Sequence, residues 1–550
     1  MLNRALRLLA VVGLISVAAC ALLALAGSQS LDPAAASQNS GAGRLTSLAH
    51  INVLDSQLTR GLPPALGMDL MDAFASPPPH NGADDLAAYI ARSTQVFQRA
   101  QLLNIDRGTA DAARATAVNT VTTNRGILAD LLGQPLRQLT FGGTRISELN
   151  AAIATAGPAH ITVSARKLQA DAALMVLGRN LILDFAGAQI DAGANPPVWL
   201  VEIVRVRNVA VINARIRGGT NGFLVDGGSN IVIANNDLQW LDENGIVVTG
   251  SSANVNIRAN HLHGLGRAGI MLHGSATQVL VENNAIDHLL GHSNWNAGIV
   301  LTGRRGDVAG DPDAFLSPDR YWAVTDPLVE RRQNPTHNVI MANTIRHGLS
   351  SGIYDDGAIA NVIVQNWIDN NSKEGVCFDN GATANVLAGN LVVGNGKRSG
   401  QSDANLALDS VLKTGRTSHG EPRAKLPGIS IDNAMYNTVF GNYVAANFGG
   451  GIKMVRTGLF NVIAANTIID NNLGASSAFH FFGIEIGAAG RDAPTTDLDF
   501  VGSSGNIIGH NVIRGPHYSG IFVAADAAQN DLVDNQIVGA QMYDVEYQHR

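Results

Sequence analysis

From about Val209 to the end of the chain, short bursts of apolar residues alternate with polar ones, and each burst stops at Asn, Gly or Asp. A period of two is a strand period, and the bursts are too short for helices. They also recur in register. A Gly followed by an apolar residue appears at Gly222, Gly245, Gly269, Gly298, Gly352, Gly375, Gly428, Gly451, Gly483 and Gly520, with several spacings of 23 or 24 residues and the rest longer by whole loops. A second column is Asn-x-apolar, at Asn236, Asn260, Asn284, Asn343, Asn366, Asn390, Asn442, Asn466, Asn511 and Asn535. A third, Asn followed by alternating apolar residues, opens most units, at Asn208, Asn230, Asn254, Asn338, Asn361, Asn385, Asn461 and Asn506.

Three short strands per unit, joined by tight bends, make each unit one rung of an all-β parallel β-helix. Rungs stack about 4.8 Å apart, so a side chain sits over its counterpart one unit later. Stacked Asn amides can then bond along the axis, and Asn tolerates the left-handed conformation at a bend. Asn accounts for 38 of the 350 residues after position 200, a surplus this ladder explains. Helical-repeat solenoids are excluded by the period and by the short spacers.

Ahead of the repeat the pattern changes. Arg4 and Arg7 precede an uncharged apolar run, Leu8–Gly27, which reads as an export signal over residues 1–26. Three fates stay open: cleavage after Ala24-Leu25-Ala26, lipidation at Cys20 within Val17-Ala18-Ala19-Cys20, or retention as an anchor. All place the remainder outside a bacterial cytoplasm, in the periplasm, on the outer membrane or secreted, and touch a membrane only through that terminus. Residues 27–67 read as a flexible linker. Residues 68–140 form a small helical region, with stretches at Ala83–Leu103 and about Thr109–Leu132, and the β-helix domain spans 141–550.

Composition narrows the function classes. The net charge of −7 and pI near 6.1 exclude a general nucleic-acid binder. Cys20 and Cys377 are the only cysteines, so no disulfide framework or cysteine-based zinc site can form. A monomer is expected.

The repeat resembles the right-handed parallel β-helices of the pectate-lyase-like superfamily over residues 160–550. Ile146–Ala156 is similar to the amphipathic helix that caps the N-terminal mouth there. The resemblance implies that the Asn ladder lies between the second and third strands, and that the Gly-Ile strand opens the next rung. Extra residues then fall on both sides of the Gly-Ile strand only: before it at 288–297, 396–427 and 473–482, and after it at 303–336 and 488–505. Long loops on both edges of one face build walls around a groove.

With the residue after Gly pointing inward, the second and fourth residues face that groove. The fourth column brings Asp356, Asp379 and Asp432 into line, and the second brings Tyr354, Cys377, Ser430, Lys453 and Glu485. Asp355 is counted as a further carboxylate. Stacked acids repel; a calcium ion held by Asp356, Asp379 and Asp432 would relieve this, as would protonation of one of them. Asp can also simply end a strand, as in Asp379-Asn380-Gly381. The loop 396–427 carries Arg416 and Arg423 among other cations, which suits an anionic polysaccharide. His261 and His263 alternate on another face, with no metal-ligand spacing evident.

The superfamily includes polyuronate lyases, mannuronan C5-epimerases, pectin hydrolases and non-enzymatic adhesins. On a uronate, lyase or epimerase chemistry would use Lys453 as base and Tyr354 as proton donor. Asp355, Glu485, Arg416 and Arg423 would bind the substrate. Neither the Asp-Pro-His-Asp motif of the epimerases nor the pectin-hydrolase motif series occurs; Gly352-Ile353-Tyr354-Asp355-Asp356 is the nearest segment. The alternatives are a polysaccharide hydrolase and a non-catalytic binding or scaffold protein of the envelope.

Overall fold

The computed structural model describes residues 107–290, 297–303, 334–397, 426–455, 458–474, 480–487, 503–525, 527 and 529–548. The export signal, the linker, the helical stretch 83–103, Arg416 and Arg423 lie outside these. The described chain is a parallel β-solenoid of about 13 turns, built from three sheets of 13, 14 and 13 strands. The first sheet holds the Gly-Ile strands, the second their successors, and the third the short strands after the Asn bend. Every strand pairs with its counterpart one rung away, for instance Phe223↔Ile246, Ile231↔Val255 and Leu238↔Leu262. Ile, Val and Leu from all three sheets fill one continuous bore.

The Gly column exists because there is no room for a Cβ. At Gly352 it would lie 2.3 Å from Ile368 Cγ2 and 2.6 Å from the Gly375 carbonyl oxygen. Gly375 meets Val392 and the Gly428 carbonyl in the same way. Three chains of contact converge at this corner, and any side chain would push two rungs apart.

The Asn column is a ladder over ten rungs, from Asn236 to Asn535. In one step, the backbone N–H and Nδ2 of Asn366 both donate to Asn390 Oδ1 at 2.9 Å, while Nδ2 also donates to the Ile340 carbonyl at 3.0 Å. The left-handed residue is the one before the ladder Asn, and it is often not Asn: Ala259, Ala342, Gln365 and Ala465 all have φ between 51° and 56°. These positions are held in a strained region by the amides beside them. Ladder Asn is therefore selected for its amide rather than for its tolerance of the bend.

The third Asn column divides in two. Asn208, Asn230 and Asn254 occupy the left-handed bend itself. Asn338 bonds instead to the Val279 backbone, and its successors Asn361, Asn385, Asn437, Asn461, Asn506 and Asn530 form a second buried ladder. A third ladder, unforeseen, runs Asn371–Asn395–Asn447–Asn471 on the remaining corner. It ends at His517, whose Nε2 accepts the Asn471 N–H at 3.1 Å. Burial of that ring pushes the imidazole down to about 4, so it is neutral and able to accept.

Two helices occur among the described residues. Helix α1 (Arg107–Leu132) matches the second expected stretch and lies across the outer face of the second sheet. That face is apolar where α1 crosses it, with Leu280, Val339, Val362 and Val386 beneath Ala117, Val118 and Val121. Polar contacts fix its position: Arg125 pairs with the wholly buried Glu282 at 2.8 Å, and Asn124 Nδ2 donates to the Gln278 carbonyl at 2.9 Å. Helix α2 (Ile146–Ala156) buries Ile146, Leu149 and Ile153 in the N-terminal mouth of the bore, as expected of a cap. The strand Arg137–Phe141 pairs in parallel with Ala159–Val163, so the sheets begin ahead of the expected boundary at 141. No helix of the described residues is long and apolar enough to cross a membrane.

Candidate active site

Every insertion flanks the first sheet. The chain leaves the third sheet and returns to the first through 288–296, 394–428 and 470–483, and passes from the first to the second through 303–338 and 487–506, whereas second-to-third bends stay tight. The expected walls thus border the expected face in chain order, although most of their residues lie outside those described.

The register on that face is Tyr354↔Cys377↔Ser430↔Lys453↔Glu485 and Asp356↔Asp379, with Asp432 one rung further and Val455 after it. The strands involved are Ser351–Asp356, Val376–Asp379, Ile429–Asp432, Ile452–Val455 and Ile484–Ile486. Tyr354 Oη donates to Asp379 Oδ2 at 2.8 Å. The Asn380 backbone N–H donates to Asp379 Oδ1 at 2.8 Å, and its side chain crosses to Asp356 Oδ1 at 2.8 Å. Thr302 Oγ1 donates to Asp356 Oδ2 at 3.0 Å. Tyr354, Asp356 and Asp379 are all buried. The result is a connected network with every carboxylate oxygen of Asp356 and Asp379 accepting a proton donor.

That network answers how stacked acids are tolerated. Hydroxyl and amide donors stabilise the carboxylates directly, and each oxygen is already committed to one. Asp432, the third residue of the expected calcium set, follows Asp379 on the next rung. Thr302 and Asn380 were not foreseen as partners. The signal for Thr302 was its place in the fourth column; for Asn380 it was a left-handed residue (φ 52°) directly after Asp379, which turns the amide back across the sheet.

Two expectations are corrected. Asp355 is the third residue after Gly352, so it points into the bore, is fully buried and does not line the groove. Burial raises its carboxyl well above the usual range, opposed by a bond from the Ala358 N–H and reinforced by Asp356; Oδ2 has no hydrogen-bond partner among the described residues. Lys453 lies three rungs from Tyr354, about 14 Å along the axis. It is paired with Glu485 at 3.0 Å, so it stands beside that carboxylate and not beside Tyr354.

Past Glu485 the groove face becomes aromatic. Phe482 and Phe522 stack with centroids 4.5 Å apart at 17°, and Tyr518 packs edge-on to Phe482 and against His480. Flat, half-exposed rings at one end of an acidic floor are suited to stacking on sugar rings.

Residues 200–309 match the family model described as the right-handed β-helix region, and residues 331–478 match that of the periplasmic copper-binding protein NosD. No curated protein sequence matches the chain. Among solved structures, a mannuronan C-5 epimerase A-module of Azotobacter vinelandii is 13% identical with a TM-score of 0.42, covering 74% of this chain and 98% of its own. The surface adhesin PfbA of Streptococcus pneumoniae is 12% identical with a TM-score of 0.38, covering 73% and 91%. The catalytic domain of a GH87 α-1,3-glucanase is 10% identical with a TM-score of 0.40, covering 75% and 66%. The stacked rungs, the parallel pairing and the family-model match agree: this chain is a right-handed parallel β-helix protein.

Proposed function

We propose that this chain is an exported carbohydrate-active enzyme that acts on an anionic polysaccharide, as a polyuronate lyase or C5-epimerase, in the groove of the first sheet. The single observation that carries the reading is the Tyr354–Asp379 bond of 2.8 Å in a buried acidic floor. A phenol bonded to a carboxylate is a proton relay: tyrosine hands its proton to Asp379 as it takes the C5 proton of a uronate. The electrons of the C5–H bond then form C4=C5 as the C4–O4 bond breaks, and O4 takes the proton back from Tyr354; this is a lyase. If C5 is reprotonated instead from its other face, by a protonated Asp432, the product is the C5 epimer; the abstracted proton stays on the Tyr354–Asp379 pair, Asp432 is left as carboxylate, and exchange with solvent resets both. Either reaction needs the sugar carboxylate neutralised. Arg416 and Arg423 belong to the insertion that enters beside the Asp432 rung and are the cations for that task, with Lys453 binding a carboxylate further along. The aromatic ledge of Phe482, Phe522 and Tyr518 would hold a neighbouring sugar. The apolar N-terminal run and the NosD match support an exported setting.

The test is incubation of the purified protein with polymannuronate, polyguluronate and polygalacturonate, following ultraviolet absorbance for C4=C5 and NMR for C5 configuration. Turnover of one polymer, lost in Tyr354→Phe and Asp379→Asn, supports the reading. Adjacent carboxylates at Asp356 and Asp379 also suit hydrolysis; new reducing ends without unsaturation would identify it and displace the lyase. Retention on a polymer that stays unmodified would leave a binding protein.

A further inference from the structure

On the third sheet, a different face from the one that carries the Tyr354 network, the rungs bring a second set of titratable side chains together. The strands His261–His263 and Ala285–Asp287 pair in register, His261 opposite Ala285 and His263 opposite Asp287. His263 Nδ1 lies 2.5 Å from Asp287 Oδ1, and His261 Nε2 lies 3.8 Å from Asp287 Oδ2. One ligand atom from each of the three falls within 4.8 Å of the others.

We infer that His261, His263 and Asp287 form a binding site for a divalent first-row transition ion, zinc or copper(II). Two imidazoles and one carboxylate are a donor set these ions prefer over magnesium or calcium. A second shell is already in place. His261 Nδ1 bonds to Asp237 Oδ1 at 3.1 Å, and Gln239 Nε2 holds both oxygens of Asp237 at 3.0 Å. This fixes the tautomer and aims Nε2 at Asp287, the arrangement that orients a metal-ligating imidazole. A further imidazole is at hand: His288 Nδ1 is 3.6 Å from Asp287 Oδ1, and its ring packs 5.1 Å from His263 and 5.2 Å from His347.

The experiment is isothermal titration of the metal-free, tag-free chain with Zn²⁺ and separately with Cu²⁺, alongside Co²⁺ absorbance to report imidazole ligation. One saturable ion per chain is expected, unaffected by excess Mg²⁺ or Ca²⁺. Asp287→Asn, which keeps the side-chain shape, and His263→Ala should each weaken binding at least tenfold. Asp237→Asn, acting through His261, should weaken it by about 10–100-fold. His273→Ala on the first sheet should leave it unchanged. Absence of a saturable site, or Asp287→Asn binding as the parent chain does, overturns the assignment. Circular dichroism of each variant confirms the fold, and if His263→Ala misfolds, Asp287→Asn alone decides.

Discussion

Tyr354 and Asp379 are 25 residues apart in sequence and 2.8 Å apart in space, joined by one hydrogen bond between neighbouring rungs. The tyrosine occupies the second position after its glycine and the aspartate the fourth after the next, so the bond runs diagonally across two strands. Removing the hydroxyl in Tyr354→Phe leaves the ring packing and takes away the relay. A fall of about 10²–10⁴-fold in kcat on whichever uronate polymer is turned over is expected, with the thermal midpoint little changed.

Asn390→Ala should be among the most destabilising single changes in the domain. Its Oδ1 accepts both donors of Asn366, and its Nδ2 serves Asn442 Oδ1 at 3.0 Å and the Ile363 carbonyl at 3.0 Å. Truncation strands both donors of Asn366, takes a donor from the Ile363 carbonyl on the same rung, and leaves Asn442 Oδ1 with only the Asn390 N–H, at about 1–3 kcal/mol for each group left unpaired. The urea midpoint should drop by the equivalent of at least ~2 kcal/mol, while exposed Gln138→Ala stays within ~0.5 kcal/mol.

Asp355 should oppose folding more as pH rises. Its folded-state carboxyl titrates well above 3.8, so the neutral form's advantage is complete below that value and is lost as pH climbs through the folded one. Asp355→Asn should therefore raise the urea midpoint relative to the parent more at about pH 8 than at about pH 4. An equal effect at both would mean the carboxyl is not held neutral.

His517 predicts the opposite slope. Its imidazole titrates at about 4 when folded against 6.5 when free, so its contribution is full above 6.5 and is lost as pH falls towards 4, with a ceiling of ~3 kcal/mol. Protonation costs Asn471 its acceptor at the end of the third ladder. Hydrogen exchange should show the rungs after Ser503 opening first on acidification. His517→Asn, which restores an amide, should blunt that response.

Much of this molecule was legible in the chain. The Gly and Asn columns gave the rung and the register of Asp356 with Asp379, and the superfamily resemblance gave the corner of the main ladder and the cap helix at Ile146–Ala156. Parity was less secure. Asp355 was counted with its neighbours although the alternation that exposes Tyr354 and Asp356 must bury it. Asn254 and Asn338 looked alike, yet they differ by one residue in register, and a one-residue slip moves a side chain from bend to bore.

Repetition is a statement about neighbours along an axis, so a chain that repeats declares its own stacking: hydrophobic period, small-residue corners and amide columns together admit few other folds. What crosses between columns is not repeated and leaves no such trace. Asn380 reaching Asp356, Tyr354 reaching Asp379, helix α1 covering the second sheet, and His261 meeting Asp287 each depend on side-chain direction and bend geometry at a single rung. Those contacts were decided only when the rungs were wound, because the distance between two side chains on different columns follows from the shape of the coil and not from their spacing in the chain.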